Sequence, residues 1–368
     1  MTKARELAKL GEIMTNSQIG GRRNIIINGA MICSQRANST TTGVNAGYHT
    51  LDRFFTSGNS AIGQYTISKS TDAPNGFSNS YKIDVTTADT SLSAGDHFGV
   101  STNIEAQNLY QVGKGTSDAQ PLTLSFYVKS NVQKQFVVEL TDSGNSRHIN
   151  FQKTVSATDT WERMIINIPA DTSGSFGTGN EKGAELNFWL GAGTTYTSGS
   201  IQNTWASRSG ANIMVGVANI ADSTSNEFFL TGVQLEVGNY PNGTPFEHRS
   251  FGDELLLCQR YYEKQGAGPD QTVANFNFKS MPVKMSNNTG HVQGHQFAVA
   301  KRADPTIVIY SRNATSGKVS SFATGGDEGN NWATNAQGQT GFHAVVRDGG
   351  THTANVGFEY GFSADAEF

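Results

Sequence analysis

The stretch HVQGH, residues 291–295, places two imidazoles four positions apart. On a helix that spacing would turn both rings to one face, where they could share a metal ion. On a strand His291 and His295 stand about 13 Å apart, beyond the reach of one ion. Gly294 and the polar neighbours favour strand or loop, so no metal is expected. GGDEGNN, 325–331, gathers Asp327 and Glu328 on a glycine-rich loop. Calcium takes oxygen ligands from such loops, but this spacing is not that of a calcium loop, and the stretch reads as a solvated turn. Asp96-His97 joins an acid to a base without a third group that the sequence assigns, and reads as a surface turn. Glu247, His248 and Arg249 fit either ion pairs across a subunit boundary or a solvated turn.

Other chemistries find no support. Cys33 and Cys258 lie far apart and form neither a zinc nor a redox motif. They read as two packed thiols, with a disulfide left open. The chain contains no glycine-rich phosphate loop ending in Lys-Ser/Thr and no G-x-S-x-G elbow. Glycoside hydrolysis needs two carboxylates at a set separation. Among 31 acidic residues a pair can always be named, and none stands out. The expectation is therefore a protein with no catalytic set and no cofactor.

Aromatic residues are more informative, because an exposed ring can stack on a sugar. Trp189 has the opposite parity to Leu186, Phe188 and Leu190, so it should point away from its sandwich core. Trp205 in NTWASR and Trp332 in GNNWATN sit in polar, turn-like settings. All three are candidate glycan platforms, and each could equally fill a subunit interface or cover a local apolar patch. Trp161, at the head of an alternating strand, is assigned to the core.

These side chains need elements to hold them. TKARELAKLGEIM is the one helical signal near the start, with Leu7, Leu10 and Met14 on a single stripe. Up to Arg23 this arm has five Lys/Arg against two Glu, a net charge of +3. So short a stripe does not hold a helix alone in water and requires a partner. From Asn24 the pattern turns to period two. Leu122, Leu124, Phe126 and Val128 share a parity, as do Phe136, Val138 and Leu140; Met164, Ile166 and Ile168; and Ile213, Val215 and Val217. So do Phe229, Val233, Leu235 and Val237, with Gln234 and Glu236 opposite. Such strands have one apolar and one polar face and predict an antiparallel β-sandwich of jelly-roll type over 24–249. SFGDELLLCQRYYEK predicts a short helix over 252–264, capped by Asp253. Within this connector, 250–268, Tyr261 and Tyr262 are expected to cover apolar surface with their hydroxyls in water. FNFKSMPVKM, PTIVIYS, FHAVVRD and VGFEYGFSADAEF then predict a small second β domain over 269–368, with Val356, Phe358, Tyr360 and Phe362 in alternation.

Composition agrees with a mainly β chain. Of 368 residues, 41 are Gly and only 16% are charged, which suits short strands and many turns rather than long surface helices. The net charge of −4 argues against nonspecific nucleic-acid binding. No run of about 18 apolar residues predicts a membrane span, and the start lacks an apolar core of signal-peptide length. Asn-x-Ser/Thr at Asn38, Asn242, Asn287 and Asn313 is expected to follow only from composition.

Several phrases together resemble a family of phage tail-fibre and virion appendage proteins common in marine and cyanobacterial phages. They are NIIINGAMICSQR at 24–36, YHTLDRFF at 48–55, FFLTGVQLEVG…TPFEHRSFGDELLLCQRYYEK, and the closing MPVKM…ADPTIVIYS…SADAEF. The resemblance runs from residue 24 to the end. Ala37 stands where the family often has Gly, and Phe54-Phe55 where it often has an aromatic pair with Trp. The resemblance implies a carbohydrate-binding-like jelly roll, a helical connector and a small β domain. It also implies assembly on a virion, commonly as a homotrimer. It transfers no catalytic residues. The expected function is a noncatalytic virion structural protein, a tail fibre or similar appendage contributing to host attachment. On this reading the arm 1–23 docks on other virion proteins, the chain is made in the host cytoplasm, and neither nucleic acid nor membrane insertion is involved. The alternatives are a receptor-recognition module for host surface glycans or a tail-associated polysaccharide depolymerase.

Overall fold

A computed structural model describes residues 23–43, 46–58, 62–266, 292–321, 326–328, 331–347 and 358–368. Leu7, Leu10 and Met14, and the expected strand FNFKSMPVKM, lie outside them. The chain is mainly β and divides into two compact units. One holds the described residues up to Ile32 together with Ser39–Arg249; the other holds Cys33–Asn38 and the described residues of Ser250–Phe368.

The first unit is a jelly-roll β-sandwich. Its strands are β1 (Ser39–Gly43), β2 (Phe54–Gly58), β3 (Gln64–Ser70), β4 (Ser80–Thr87), β5 (His97–Glu105), β6 (Leu122–Ser130), β7 (Gln135–Asp142), β8 (Arg147–Thr154), β9 (Glu162–Ile168), β10 (Lys182–Ala192), β11 (Ala206–Ser207) and β12 (Glu227–Val237). They form two six-stranded sheets, β1-β3-β4-β12-β6-β9 and β11-β8-β7-β10-β5-β2. Every pairing is antiparallel. The period-two residues meet between the sheets. Leu122, Leu124, Phe126, Val128, Met164, Ile166 and Ile168 pack with Phe136, Val138, Leu140, Leu186 and Phe188 in one buried core. Burying each such side chain contributes about 1.5–3 kcal/mol.

β12 departs from simple alternation. Its register on β6 slips between Thr231 and Gln234, where Gly232 adopts φ +60°. The bulge switches parity. Phe228 and Leu230 therefore share the core with Val233 and Leu235. Phe229, expected among the inward residues, lies instead on the outer face beside Trp161 and under the Lys129 ammonium. Trp161 is likewise not a core residue: it is half-buried on that face, its indole donating to Asp72 Oδ1 at 3.0 Å.

β4 pairs with β12 only from Glu227 to Leu230. Past the bulge, that edge of β12 bonds to the NIIING segment. Ile25 N–H donates to Leu235 O (2.8 Å), Val233 N–H donates to Gly29 O (3.0 Å), and Asn24 Nδ2 donates to Val233 O (3.1 Å). Gly29 is required there, since a Cβ would stand 2.1 Å from Val233 O.

The expected strand at Ile213, Val215 and Val217 does not form. Ile213 and Met214 are both buried although consecutive, so the chain there cannot alternate faces. It belongs to an irregular cover over 193–217, described below.

In the second unit Ser250 caps helix α1 (Phe251–Gln259), accepting from Asp253 N–H at 3.2 Å. The helix is shorter than the expected 252–264, because Tyr262–Gln265 forms strand β13 and pairs with Phe362–Asp365. The further strands are β14 (Val292–Gln296), β15 (Thr306–Tyr310), β16 (Val319–Ser321), β17 (Asp327–Glu328), β18 (Asn331–Gly338), β19 (Gly341–Arg347), β20 (Phe358–Glu359) and β21 (Gly361–Asp365). They make three small sheets, β13-β21-β15, β14-β19-β18 and β17-β16-β20. The expected single strand around Phe358–Phe362 is thus two strands in different sheets. Phe297, Ile309, Val319, Phe342 and Phe362 form the core. Tyr261 is wholly buried and Tyr262 nearly so. The Tyr261 hydroxyl therefore does not reach water as expected, while the Arg36 guanidinium lies 3.6 Å from the Tyr262 ring centroid. Cys33 and Cys258 are free, buried thiols. Among the described residues no helix is long and apolar enough to cross a membrane.

Gly232→Ala tests the bulge. A Cβ there would stand 2.8 Å from both Phe77 and Tyr127, at a positive φ. The variant should lose about 1–3 kcal/mol by urea denaturation; an unchanged midpoint would contradict the assigned geometry.

Candidate functional site: a groove beside Tyr110

After β5 the chain reads AQNLYQVG. Ala106, Leu109 and Val112 are buried, a spacing of three. Three residues per turn is the period of a 3-10 helix, and Ala106–Val112 forms one. Gly113 ends it at φ +61°, its N–H donating to Tyr110 O at 3.3 Å. The opposite end is tied down by Ala106 N–H to Glu181 O and Gln107 N–H to Gly179 O, each 2.9 Å. Packing one row of this helix inward turns the others out. Tyr110 is left 72% exposed, the most exposed of the large apolar side chains described.

Beside it runs an open groove of about 370 Å³, lined by Asn24, Ile25, Ile27, Gln107, Asn108, Tyr110, Gln111 and Arg249. Its two walls differ in kind. Asn24 and Arg249 are structural. The Asn24 carboxamide accepts from Ile26 N–H (3.0 Å) and Leu235 N–H (3.1 Å). Arg249 donates to Ile26 O (3.2 Å) and to Asn24 O, and pairs with Glu247 at 3.2 Å. Glu247 in turn accepts from Arg23 N–H (3.1 Å) and Asn24 N–H (2.7 Å). The Glu247–Arg249 stretch is thus a clamp on the NIIING segment within the first unit. The helical wall is different. Gln107 donates to Glu105 at 2.7 Å through its amide nitrogen, while Asn108 and Gln111 line the groove beside the exposed ring. An exposed aromatic face next to amide donors and acceptors, over an isoleucine floor, suits a small ligand rich in hydroxyl groups.

The tryptophans singled out from sequence do not form this site, nor are they brought together. Trp189 does point away from the sandwich core, but it is only 3% exposed. The cover 193–217 buries it with Val137, Ile213 and Met214, flanked by Tyr196, Ile201 and Val217. Its ring is therefore not offered to a ligand from solvent. Trp205 is half-buried: its indole donates to Pro169 O at 2.9 Å, and its ring lies 5.0 Å from the Lys114 ammonium. That ammonium is itself bound by Asp142 (2.5 Å), Asp171 (3.0 Å) and Ser173 O (2.7 Å). Trp332 stands in β18 rather than in the expected turn; its side chain lies outside the described residues.

The remaining sequence candidates have structural surroundings. His291 lies outside the described residues. His295 is on a strand and packs on Phe297, Phe342 and Phe362. Asp96 accepts from Ser93 N–H at 2.7 Å, and His97 packs edge-on to Trp189 and Tyr196. Asp327 accepts from Asn313 at 2.9 Å. Among the described residues no three His, Cys, Asp or Glu side chains gather as a metal site.

The cover itself is pinned on a buried carboxylate. Glu139, fully buried on the outer face of the second sheet, accepts from His148 Nδ1 (2.8 Å), Trp189 Nε1 (3.0 Å), Arg208 Nε (2.9 Å) and Nη2 (3.3 Å), and Asn187 Nδ2 (3.4 Å). Burial alone pushes this carboxyl up. The hydrogen bonds from His148, Arg208 and Trp189, with the Arg208 charge, outweigh burial and hold it below the usual glutamate range. Asn150 completes the seam, donating to Asn212 O (2.7 Å) and Ile213 O (2.8 Å).

No protein-family model matches the chain, and no curated protein matches it. Solved structures do. The enzymatically active domain of bacteriophage CBA120 tailspike protein 4 matches at 12% identity and TM-score 0.31, over 58% of this chain and 21% of that one. The chain thus spans about a fifth of the tailspike chain. TmCBM61, solved with β-1,4-galactotriose, matches at 10% identity and TM-score 0.29, over 59% of this chain and 99% of that one. The N-terminal cellulose-binding domain of Cellulomonas fimi β-1,4-glucanase C matches at 10% identity and TM-score 0.27, over 56% and 99%. At such identities and scores these likenesses assign no activity and no residue.

Glu139→Gln should destabilise the first unit by about 3 kcal/mol. Because the folded carboxyl titrates below its unfolded value of about 4.3, its contribution is complete above that pH. It should be lost as pH falls through the lower, folded value. Urea midpoints of the parent should drop below about pH 4 more steeply than those of Glu139→Gln; parallel profiles would contradict this.

Proposed function

We propose that the chain is a noncatalytic structural protein of a phage virion, part of a tail fibre or similar appendage, that contacts host surface glycans through the groove beside Tyr110. The observation that carries the glycan contact is that groove: an exposed ring, the Asn108 and Gln111 carboxamides beside it, and helix ends fixed by the protein's own backbone. A backbone held this way loses little freedom when a sugar stacks on the ring it carries. The sequence phrases from Asn24 to Phe368 support the appendage reading.

A noncatalytic role agrees with how several buried carboxylates of the first unit are used. Glu139 binds Arg208, Asp142 and Asp171 bind Lys114, and Glu236 binds Arg23 at 3.2 Å and Thr244 at 2.7 Å. Each neutralises a fixed partner and holds a loop. The homotrimer follows from the family resemblance, and helix α1, which leaves Phe251 58% and Leu256 47% exposed, offers it a contact surface. Apolar side chains at this exposure are normal at a subunit contact. The arm 1–23 would dock on neighbouring virion proteins through Leu7, Leu10 and Met14.

Two measurements test the proposal. Tyr110→Ala should leave stability within about 0.5 kcal/mol and lower binding to immobilised host envelope glycan at least about tenfold, 1.4 kcal/mol; unchanged binding would remove the groove from the account. Light scattering should give three times the chain mass for the parent, and the chain mass for Phe251→Asp/Leu256→Asp. A monomeric parent at high concentration would refute the assembly.

A further inference from the structure

We infer that the groove beside Tyr110 selects an uncharged sugar of about one or two rings and rejects uronic, sialic and phosphorylated sugars. This rests on the glycan-binding reading above and goes beyond it in naming the ligand class.

Charge comes first. Of the eight lining residues, Arg249 alone is charged. Its charge is matched by Glu247, its donors are turned to the backbone carbonyls of Asn24 and Ile26, and its side chain is only 9% exposed. Using it for a ligand anion would mean breaking the clamp that holds the NIIING segment. The lining has no Asp, Glu, Lys or His. A sugar carboxylate or phosphate brought here would give up water for amide dipoles without gaining a counter-charge, and such desolvation is costly. A neutral hydroxyl loses far less, because each carboxamide replaces water as both donor and acceptor.

Size comes second. A volume of about 370 Å³ lies at the small end of the range for small-molecule sites, about 300–1,000 Å³. It covers about one or two sugar rings at a time. Shape agrees: one exposed ring, Tyr110, offers one stacking plane, and Ile25 and Ile27 supply an apolar floor for the C–H side of the same sugar. Gln107, Asn108 and Gln111, on the rows of the 3-10 helix that are not packed inward, then face the sugar's rim.

The test is a ligand panel on the full-length chain. Saturation-transfer NMR and calorimetry would compare glucose, galactose and N-acetylglucosamine with glucuronic acid, N-acetylneuraminic acid and glucose 6-phosphate. The expected result is millimolar binding of at least one neutral sugar, lost at least tenfold in Tyr110→Ala and unchanged between low and high salt. Gln111→Lys supplies the missing cation and should admit an acidic sugar that the parent rejects. Tyr110-dependent binding of acidic sugars by the parent, weakening with salt, would overturn the inference while leaving a glycan site in place. Failure of every sugar to bind in a Tyr110-dependent way would overturn both the inference and the reading it rests on.

Discussion

A buried ionised carboxylate has to be surrounded by donors, and Glu139 sets that requirement at the centre of the second sheet's outer face. β7, β8 and β10 meet it with Glu139, His148, Asn187 and Trp189. Those strands alone would leave the face open to water. The 193–217 segment closes it, and its Arg208 completes the charge balance. The apolar part of the cover, Ile213 and Met214, then has something to bury against: the indole of Trp189 and the side chain of Val137. Ion pair and small core are mutually dependent. Without Arg208 the carboxylate lacks its cation, and without Ile213 and Met214 the pair is wet and weak.

This arrangement decides where the sandwich can meet a ligand. The second sheet's outer face, with its indole and its polar row, is occupied by the protein's own chain. Under the proposed function, recognition falls instead to the 3-10 helix between β5 and β6, opposite the segment that repairs the edge of β12. The β12 bulge at Gly232 ends the pairing with β4, the freed edge recruits Asn24–Gly29, and Glu247 and Arg249 hold that segment down. One wall of the groove is therefore a by-product of a strand repair, and the other is a short helix whose inward row is fixed by the core.

The strands of the sandwich are legible because the side chains turned to the core share one parity, from Leu122 to Val128, Phe136 to Leu140 and Leu186 to Leu190, even where the other face is buried as well, as at Val137, Glu139 and Trp189. The parity of β12 is not. A single glycine at positive φ resets it, and Gly232 looks the same in sequence as a glycine that does nothing. The cover resembles a strand at Ile213–Val217 because three apolar residues fall at spacing two, and only the burial of Met214 between them shows otherwise. The parity of Trp189 was read correctly, but exposure depends on a segment remote in sequence, which parity does not report. Tyr110 is hidden for a different reason: it is one of 11 tyrosines, and no motif marks it. Ala106, Leu109 and Val112 followed by Gly113 carry the period-three signal of a 3-10 helix, and that signal would have placed Tyr110 on an outward row.

If the proposed function holds, the covered face is silent and the groove beside Tyr110 receives the ligand. Fluorine NMR of the full-length chain labelled at tryptophan and tyrosine, with a soluble paramagnetic agent and then with a neutral sugar, tests it most directly. The Tyr110 resonance should be broadened by the agent and shift on sugar addition, while that of Trp189 responds to neither. A Trp189 resonance that is both broadened and sugar-sensitive, beside a static Tyr110, would contradict it.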